Sequence, residues 1–371
     1  MLPLPIPGIS SLRSSNSKLL LTLAIVFNTS AMSESKFYHF SSAGLFYGVN
    51  SVKEAITAAK EGGYIWLDFY NPAPEELHAL IETMQVHPLS VEDCLDINQV
   101  PKIDQFPNNT FIIFNAFTYT DKVLFIDEID LFLGKNFLIS VSGIKSEGRK
   151  PLNGIINIVE NDTGLIKTGP AFLMQVVMDY IVDEKLHAID SLEDELGEAE
   201  DEVLNNPAVF KPTELMRLKK YLVNLRKALF HEREILVKIC RMDCPFIPEK
   251  AIFHFRDIYD HLAKFFELTE TDREMVTSLM ELYTSLLNNQ MTKMSNDTNM
   301  SVRRLTMIAT IFMPLTLIAG IGGMSEWSMM TGPANWKISY PLFIAAMAVI
   351  ALVNYLLILM IERKNELRKD Q

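Results

Sequence analysis

The sequences LTMIATIFMPLTLIAGI at residues 305–321 and ISYPLFIAAMAVIALVNYLLILMI at residues 338–361 decide the fold of this chain. Neither run contains a charged residue. A bilayer core of about 30 Å needs about 20 helical residues at ~1.5 Å each, and both runs reach or approach that length. A buried helical hairpin in a large soluble core is the alternative. Uninterrupted apolar runs of this length favour two membrane spans.

The charges around the two runs predict their orientation. The connecting loop contains only Glu326 and Lys337 as charged residues. Positive flanks stay in the cytoplasm, so both termini are predicted to be cytoplasmic, in a multi-pass protein of the plasma (inner) membrane. The basic residues that carry this prediction lie outside the loop: Arg303, Arg304, Arg363, Lys364, Arg368 and Lys369.

The run TMIATIFMPLTLIAGIGGM at residues 306–324, with the second span and the basic tail, resembles the CorA-type divalent-cation channels. The similarity extends back to about residue 45. Members of that family carry a Gly-Met-Asn signature at the outer end of the first span. The matching positions here are Gly323, Met324 and Ser325, so serine replaces the asparagine.

The resemblance implies an α+β cytoplasmic domain with a sheet flanked by helices, a long stalk helix and two C-terminal transmembrane helices. It also implies a funnel-shaped homo-oligomer, a pentamer in that family. The predicted segments are 1–31, a leader; 32–169, the α/β domain; 170–245, an antiparallel helical hairpin; 246–304, the stalk; 305–322, the first span; 323–337, the outer loop; 338–361, the second span; and 362–371, a basic tail.

The leader, residues 1–31, allows three interpretations. It contains a short apolar core from Leu19 to Phe27, followed by Ser30-Ala31, which is similar to a signal-peptidase site. A signal peptide would export the N-terminal part and contradict the predicted orientation. We therefore favour a disordered leader, or a start codon upstream of the functional Met32.

Composition excludes several functional classes. The net charge is −12 and the isoelectric point is about 5.1, which argues against nucleic acid as a partner. The three cysteines give no disulfide framework, and Cys240 and Cys244 have no histidine or cysteine close in sequence to complete a zinc site. No phosphate loop, nucleophile elbow or dinucleotide fingerprint occurs, so catalysis is not supported.

Mixed α/β patterns fill the region before residue 169. Aromatic and β-branched content predicts a strand at Tyr64–Tyr70 and another at Thr110–Thr118. A hairpin is predicted from Phe125–Leu133 and Phe137–Ser142. Helices are predicted to start at Pro74 and at His87-Pro88, since proline is favoured in a first turn.

Three long helices are predicted after residue 169. Pro170–Asn205 ends in an acidic segment and Pro212–Met242 is basic, so an antiparallel hairpin would set opposite charges against each other. The acidic end is interpreted as a solvated helix face or, alternatively, a cation-collecting surface. From about Pro248 a third helix continues into the first span with apolar residues three and four positions apart. Such a stripe needs neighbours, which predicts self-association.

Two spans per chain cannot enclose a water-filled path, so a pore requires several copies whose polar groups form rings. Candidate polar groups on the first span include Thr306 and Thr310, although a membrane threonine often bonds its own i−4 carbonyl. The resemblance implies apolar constrictions at Leu305 and Met313, contacts to hydrated ion at Asn299 and Thr316, and a filter. The predicted filter residues are Gly323, Met324, Ser325 and Glu326.

Ser325 bears on the choice of ion. Mg²⁺ holds its waters tightly, so a filter selects it best by hydrogen-bonding the intact hydration shell. Serine is shorter than asparagine, and the neighbouring Glu326 would attract any divalent cation. We therefore predict transport of Mg²⁺ with weakened discrimination against Co²⁺, Ni²⁺, Mn²⁺ or Zn²⁺.

The resemblance also implies a regulatory Mg²⁺ site between adjacent subunits. The motifs that match are Val91-Glu92-Asp93 and Phe255–His261. Carboxylates from two chains would repel when the site is empty and be bridged when a cation fills it, which would hold the pore closed. The implied ligands are Glu92, Asp93 and Asp257, with Asp260 and His261 as further candidates.

Two other functions fit the same scaffold. One is a zinc- or proton-coupled transporter, although no acidic residue lies between Leu305 and Ile321. The other is a membrane-anchored metal sensor that does not conduct. The predicted partners remain a second copy of this chain, divalent cations and the lipid bilayer.

Overall fold

One mixed sheet forms the centre of the N-terminal part, with described strands in the order β2-β1-β3-β7-β6-β5-β4. The computed structural model describes residues 35–41, 46–96, 99–144, 146, 148–161, 164, 166–322, 332 and 335–367. The strand bounds are β1 Lys36–Phe40, β2 Phe46–Val49, β3 Tyr64–Tyr70, β4 Lys102–Gln105, β5 Asn109–Thr120, β6 Val123–Gly134 and β7 Phe137–Ser142.

All neighbouring strands in this sheet are antiparallel except one pair. β3 and β7 run parallel, with Ile65 opposite Phe137 and Tyr70 opposite Ser142. A parallel pair needs a long crossover, and here the crossover contains β4, β5 and β6. The sheet therefore consists of two locally connected halves that meet at this single parallel seam.

The predicted hairpin of β6 and β7 is confirmed, with Leu133 opposite Leu138. Strands β5 and β6 form a second hairpin. Its first strand, β5, extends beyond both ends of the predicted strand at Thr110–Thr118. The hairpin turns at Asp121 and Lys122, whose φ angles of 52° and 62° are those that a two-residue hairpin turn requires.

The helices have these bounds: α1 Val52–Glu61, α2 Pro74–Thr83, α3 Pro88–Leu95, α4 Ile155–Asn161, α5 Pro170–Asn205, α6 Pro212–Cys240, α7 Glu249–Gly322 and α8 Trp336–Leu367. Proline begins α2, α3, α5 and α6, which confirms the predicted starts. The end of α6 lies two residues before the predicted Met242, which has a φ of 61° and so leaves the helical conformation.

The main apolar core lies between α1–α3 and one face of the sheet. Leu67, Phe111 and Phe132 are fully buried there, and Leu80 of α2 and Val91 of α3 pack against them. A fully buried side chain of this size contributes ~1.5–3 kcal/mol by leaving water. The alternation that puts Leu67 on this face sends Trp66 and Asp68 to the other face.

Helices α5 and α6 run antiparallel. Two ion pairs between them show this, since the pair that lies later in α5 lies earlier in α6. Lys185 Nζ donates to Glu232 Oε2 at 2.5 Å, and Arg217 donates to Glu195. The second pair has the predicted sign, basic on α6 and acidic on α5. The first has the opposite sign and is completely buried, which the sequence did not reveal.

The buried pair connects both helices to the sheet. Glu232 Oε1 accepts from the backbone N–H of Asn115 at 2.9 Å, and Lys185 Nζ lies 3.9 Å from the ring centre of Phe114. Burial lowers the pKa of Lys185 to about 8 and raises the pKa of Glu232, although each charge favours the other. The geometry satisfies both charges inside the protein.

The chain divides into two units, the first ending at Glu281 and the second beginning at Leu282. The second unit contains the two predicted spans. Both qualify by length and composition as membrane-crossing helices, and the apolar window of each is 0 % buried. A hairpin inside a soluble core would be mostly covered, so this exposure favours the predicted spans over that alternative. The finer domain boundaries predicted above stay predictions.

The leader, residues 1–31, lies outside the described residues.

Candidate ion pathway and metal site

The predicted pore positions lie on α7, and the structure leaves all four exposed. Leu305 is 68 % exposed and Met313 is 72 % exposed, while Asn299 and Thr316 also face outward. At about 100° per residue, these positions fall within an arc of roughly 120° on an ideal helix. One face of α7 therefore presents two large apolar and two polar side chains.

The threonines of the first span all bond their own helix. Thr306 donates to the carbonyl of Val302 at 2.9 Å, and Thr310 donates to Thr306 at 2.8 Å. Thr316 donates to Phe312, also at 2.8 Å. Each hydroxyl thus donates its proton to the i−4 carbonyl, and its oxygen remains available as a hydrogen-bond acceptor. An acceptor is the group that a cation or its hydration water would meet.

An apolar groove lies on the C-terminal part of the same face. Its lining includes Ala309, Met313, Thr316 and Gly320, which recur at helical spacing. The small residues Ala309 and Gly320 allow close approach of another surface. The predicted filter residues Gly323, Met324, Ser325 and Glu326 lie outside the described residues.

The first pair of predicted regulatory acids lies on α3. Asp93 Oδ2 accepts from Lys102 Nζ of β4 at 2.7 Å, and the same ammonium lies 3.3 Å from Asp104. Glu92 is exposed. The Lys102 ammonium lies between two carboxylates, so the charge of Asp93 is partly neutralised within its own chain.

The second set lies on α7, where Asp257 and Asp260 are exposed. His261 Nε2 lies 4.0 Å from Asp257 Oδ2, one helical turn away. The charges of this turn act on Asp179 of α5. Burial, Asp183 and Asp257 together raise the pKa of Asp179, while His261 and His254 act in the opposite direction.

Sequence reasoning missed Asp179, Asp183 and His254. Acids four residues apart on a helix are typical of a solvated face, so the pattern alone does not mark them. Their significance comes from α7, which places Asp257 close enough to Asp179 for repulsion. Positive charge at this point would relieve the repulsion between the carboxylates.

The two sets of acids are not joined within one chain. In the part of the chain that the structure describes, no hydrogen bond or ion pair links Glu92 or Asp93 to Asp257, Asp260 or His261. Within the same ranges, no group of three or more histidine, cysteine or acidic side chains could hold a metal ion. Within one chain the two predicted sets of ligands therefore stay separate.

Comparison with known proteins identifies the scaffold. The model of the family described as "CorA-like Mg2+ transporter protein" matches residues 61–364. The Cobalt/magnesium transport protein CorA of Thermotoga maritima is 34% identical over 275 residues, which cover 73% of this chain and 75% of that protein. A putative metal ion transporter of Bacillus subtilis is 30% identical over 289 residues, or 78% of this chain and 86% of that one.

A solved structure shares the fold. The CorA magnesium transporter of Methanocaldococcus jannaschii superimposes with a TM-score of 0.65 at 23% identity, covering 87% of this chain and 96% of that chain. The likeness confirms the predicted α/β domain with its long helix and C-terminal apolar helix. Membership of a transporter family also confirms the expectation of a transporter rather than an enzyme. From its residues, its fold and these matches, the chain belongs to the CorA-like Mg²⁺ transporter family.

Proposed function

We propose that this chain assembles, as a homopentamer, into a membrane channel that carries Mg²⁺ and other divalent cations into the cytoplasm. The observation that carries the proposal is the exposed face of α7, with Leu305 68 % and Met313 72 % exposed, in a chain of this transporter family. Exposed apolar side chains at membrane depth need lipid or a neighbouring copy. The names of the Thermotoga and Methanocaldococcus relatives support Mg²⁺ and Co²⁺ as cargo.

The path through the pore follows from that face. Copies arranged around an axis would place Asn299 and Thr316 as rings of acceptors, with rings of Leu305 and Met313 between them. Acceptor rings suit a hydrated cation, and an apolar ring conducts only when wetted. The inward-negative membrane potential would drive entry, at ~2.3 kcal/mol per elementary charge for every 100 mV.

Uptake into proteoliposomes tests transport itself. Vesicles that contain the full chain and an internal Mg²⁺-sensitive dye should report uptake that grows with an inward-negative potential. A chain that binds Mg²⁺ but gives no uptake would be a sensor instead. The first span contains no titratable residue from 305 to 321, so we expect uptake without an imposed proton gradient. Uptake that required such a gradient would favour the proton-coupled alternative.

Cytoplasmic Mg²⁺ is proposed to close this pore. Asp257 and Asp179 already repel within one chain, and Glu92 and Asp93 lie on a separate element. A cation held between the Asp257 half-site of one subunit and the Glu92–Asp93 half-site of its neighbour would complete an oxygen-lined site. Carboxylate oxygens are the ligands that Mg²⁺ prefers, together with water. Asp260 and His261 lie within a turn of Asp257 and would adjust the charge there.

Asp257→Ala tests the regulatory proposal, with Glu267→Ala as the matched control. Both acids are exposed on α7, but Glu267 lies outside the cluster with Asp179. We expect uptake by Asp257→Ala to persist at internal Mg²⁺ concentrations that stop the parent and Glu267→Ala. Equal inhibition of all three proteins would refute the assignment of Asp257.

Ser325→Asn tests the filter. If Ser325 contacts the hydration shell, asparagine should raise the flux ratio of Mg²⁺ over Co²⁺ and Ni²⁺, because a longer amide carbonyl narrows the ring. Thr331→Asn, in the same loop, is the control. An unchanged flux ratio in Ser325→Asn would exclude a filter role for that residue.

A further inference from the structure

A pocket in the first unit lies on the sheet face that carries Trp66 and Asp68. It is bounded by β1, β3 and β7 on one side and by residues 150–156 on the other. Its interior volume is about 50 Å³ and it opens to solvent, so it can admit one end of a small ligand while the other end stays at the mouth. Neither the transport path nor the Asp257 cluster uses any of its residues.

The lining of the pocket includes the carboxyl group of Asp68, on the same sheet face as Trp66. Asp68 lies opposite Lys36 of β1 and opposite Ser140 of β7 in the strand register. Ser140 donates its hydroxyl proton to Asp68 Oδ1 at 2.6 Å, and the indole N–H of Trp66 donates to Ser140 at 2.9 Å. This chain of hydrogen bonds fixes the carboxyl in one orientation before any ligand arrives.

Burial disfavours the ionised form of this carboxyl group when no ligand is bound. Burial raises the pKa of Asp68 to about 6, against the opposing effects of Ser140 and Lys36. A desolvated acid in a pocket is typical of a binding site, because a ligand that donates a hydrogen bond restores what burial removed. Structural acids also occur in such positions, so the surroundings must decide.

Those surroundings are cationic and aromatic. Lys36 lies exposed beside Asp68 on the neighbouring strand, and Lys150 Nζ is 5.3 Å from the centre of the Tyr70 ring. Tyr38, stacked on Trp66 at 5.1 Å, adds a second aromatic wall. An anion alone would meet the lysines but would be repelled by Asp68. A cation alone would meet Asp68 but would be repelled by the lysines.

We propose that this pocket binds a small zwitterionic ligand, whose N–H group donates to Asp68 and whose carboxylate or phosphate meets Lys36 and Lys150. Free amino acids and phosphorylated amines share this chemistry. The site lies in the predicted cytoplasmic domain, so the ligand would be a cytoplasmic metabolite. The channel would then respond to a small molecule as well as to its cargo.

Calorimetric titration of the full chain in detergent tests this proposal. The probes are glutamate and glutamine as amino acids, and phosphoserine and phosphoethanolamine as phosphorylated amines. Inorganic phosphate and ethylamine represent the two halves alone. We expect at least one zwitterion to bind with a Kd of ~1 mM or tighter, and both halves to bind at least ~10-fold more weakly. The probe that binds identifies the source.

Variants show whether binding occurs in this pocket. Asp68→Asn keeps an oxygen for the Ser140 hydroxyl but removes the charge, and Lys36→Met removes the facing cation. Each should weaken binding by about tenfold or more, as expected for a lost charge-assisted hydrogen bond. Lys60→Met, on the exposed surface of α1, is the matched control and should bind like the parent.

Several results would overturn the proposal. They are the absence of binding by every zwitterion, equal binding of inorganic phosphate, or unchanged affinity in both Asp68→Asn and Lys36→Met. Thermal unfolding of each variant verifies that it folds. If Asp68→Asn does not fold, Lys36→Met and Lys150→Met carry the test, because both lysines are exposed and lie at the rim.

Discussion

Large apolar side chains are buried in the sheet of the first unit but exposed on the apolar helices of the second. Phe132 in β6 is 0 % exposed within a single chain, whereas Phe312 in α7 is 61 % exposed. The first unit completes its core without help. The second leaves its apolar surface uncovered within a single chain. Side chains in the two regions should therefore respond differently to the same substitution.

The largest expected effect is in the sheet. Phe132→Ala should lower the free energy of unfolding of the first unit by ~3–5 kcal/mol, because it leaves a cavity in a close-packed core. Phe312→Ala should leave that unit unchanged. Unfolding followed by tryptophan fluorescence measures both variants, in a protein with Trp327 and Trp336 replaced by phenylalanine so that only the buried Trp66 reports. Equal losses would contradict the difference between the two regions.

The buried ion pair of α5 and α6 sharpens the comparison. Glu232→Gln should cost ~3 kcal/mol, because Lys185 would then be buried without its counter-charge. Adding Lys185→Met should restore most of that loss, since glutamine still offers an oxygen to the Asn115 N–H. The exposed pair of Arg226 and Glu270 is the control, and Arg226→Met should cost less than ~1 kcal/mol. Denaturant unfolding at fixed pH gives the three values.

Asp272 of α7 contrasts with that pair, because it is a buried acid without a basic partner among the described residues. It is 6 % exposed, and its Oδ2 has no hydrogen-bond partner among the described residues. Burial and then Glu193 raise the pKa of Asp272 from 3.8 to about 6. The folded state thus holds this proton more tightly than the unfolded chain does. Its effect on stability is therefore unfavourable as pH rises from about 4 to about 6, and the loss persists above that range.

Asp272→Asn should therefore stabilise the protein at pH 7 by ~1–3 kcal/mol, reduced toward the lower value by burial of the amide. The gain should shrink as the pH falls toward 4 and disappear below about pH 3, where the parent acid is protonated in both states. Melting temperatures from pH 4 to pH 8 measure the difference between variant and parent. Asp194→Asn, an exposed acid on α5, should show no such trend. A gain that did not depend on pH would exclude titration of Asp272 as its cause.

The sequence predicted those helices and strands whose residue pattern is contained in one continuous segment. The strand Tyr64–Tyr70 was predicted at its exact bounds, and the continuation of one helix through the first span was also confirmed. The strands β1, β2 and β4 were missed, because four or five residues carry too little alternation to stand out. The pairing of β3 with β7 depends on residues about seventy positions apart, which no local pattern contains.

The candidate sites were predictable only where a motif existed. Asp257 and the exposed positions Leu305 and Met313 came from resemblance, and the structure gives their exposure. Asp179, Lys185 and Asp272 were missed because an ionisable residue on a helix is typically solvated. What makes each of them unusual is the neighbouring helix, and that neighbour is set by tertiary packing.

The parallel seam between β3 and β7 has a consequence for synthesis. β3 carries the sequence YIWLDFY, and one of its edges stays unpaired until β7 has been translated. Tyr70 and Phe137 are 67 residues apart, so at ~5–20 residues per second the edge waits roughly 3–13 s. An apolar strand with an open edge is a template for wrong pairing. The nascent chain should therefore depend on holding chaperones during this interval, and slowing translation between Tyr70 and Phe137 should increase aggregation.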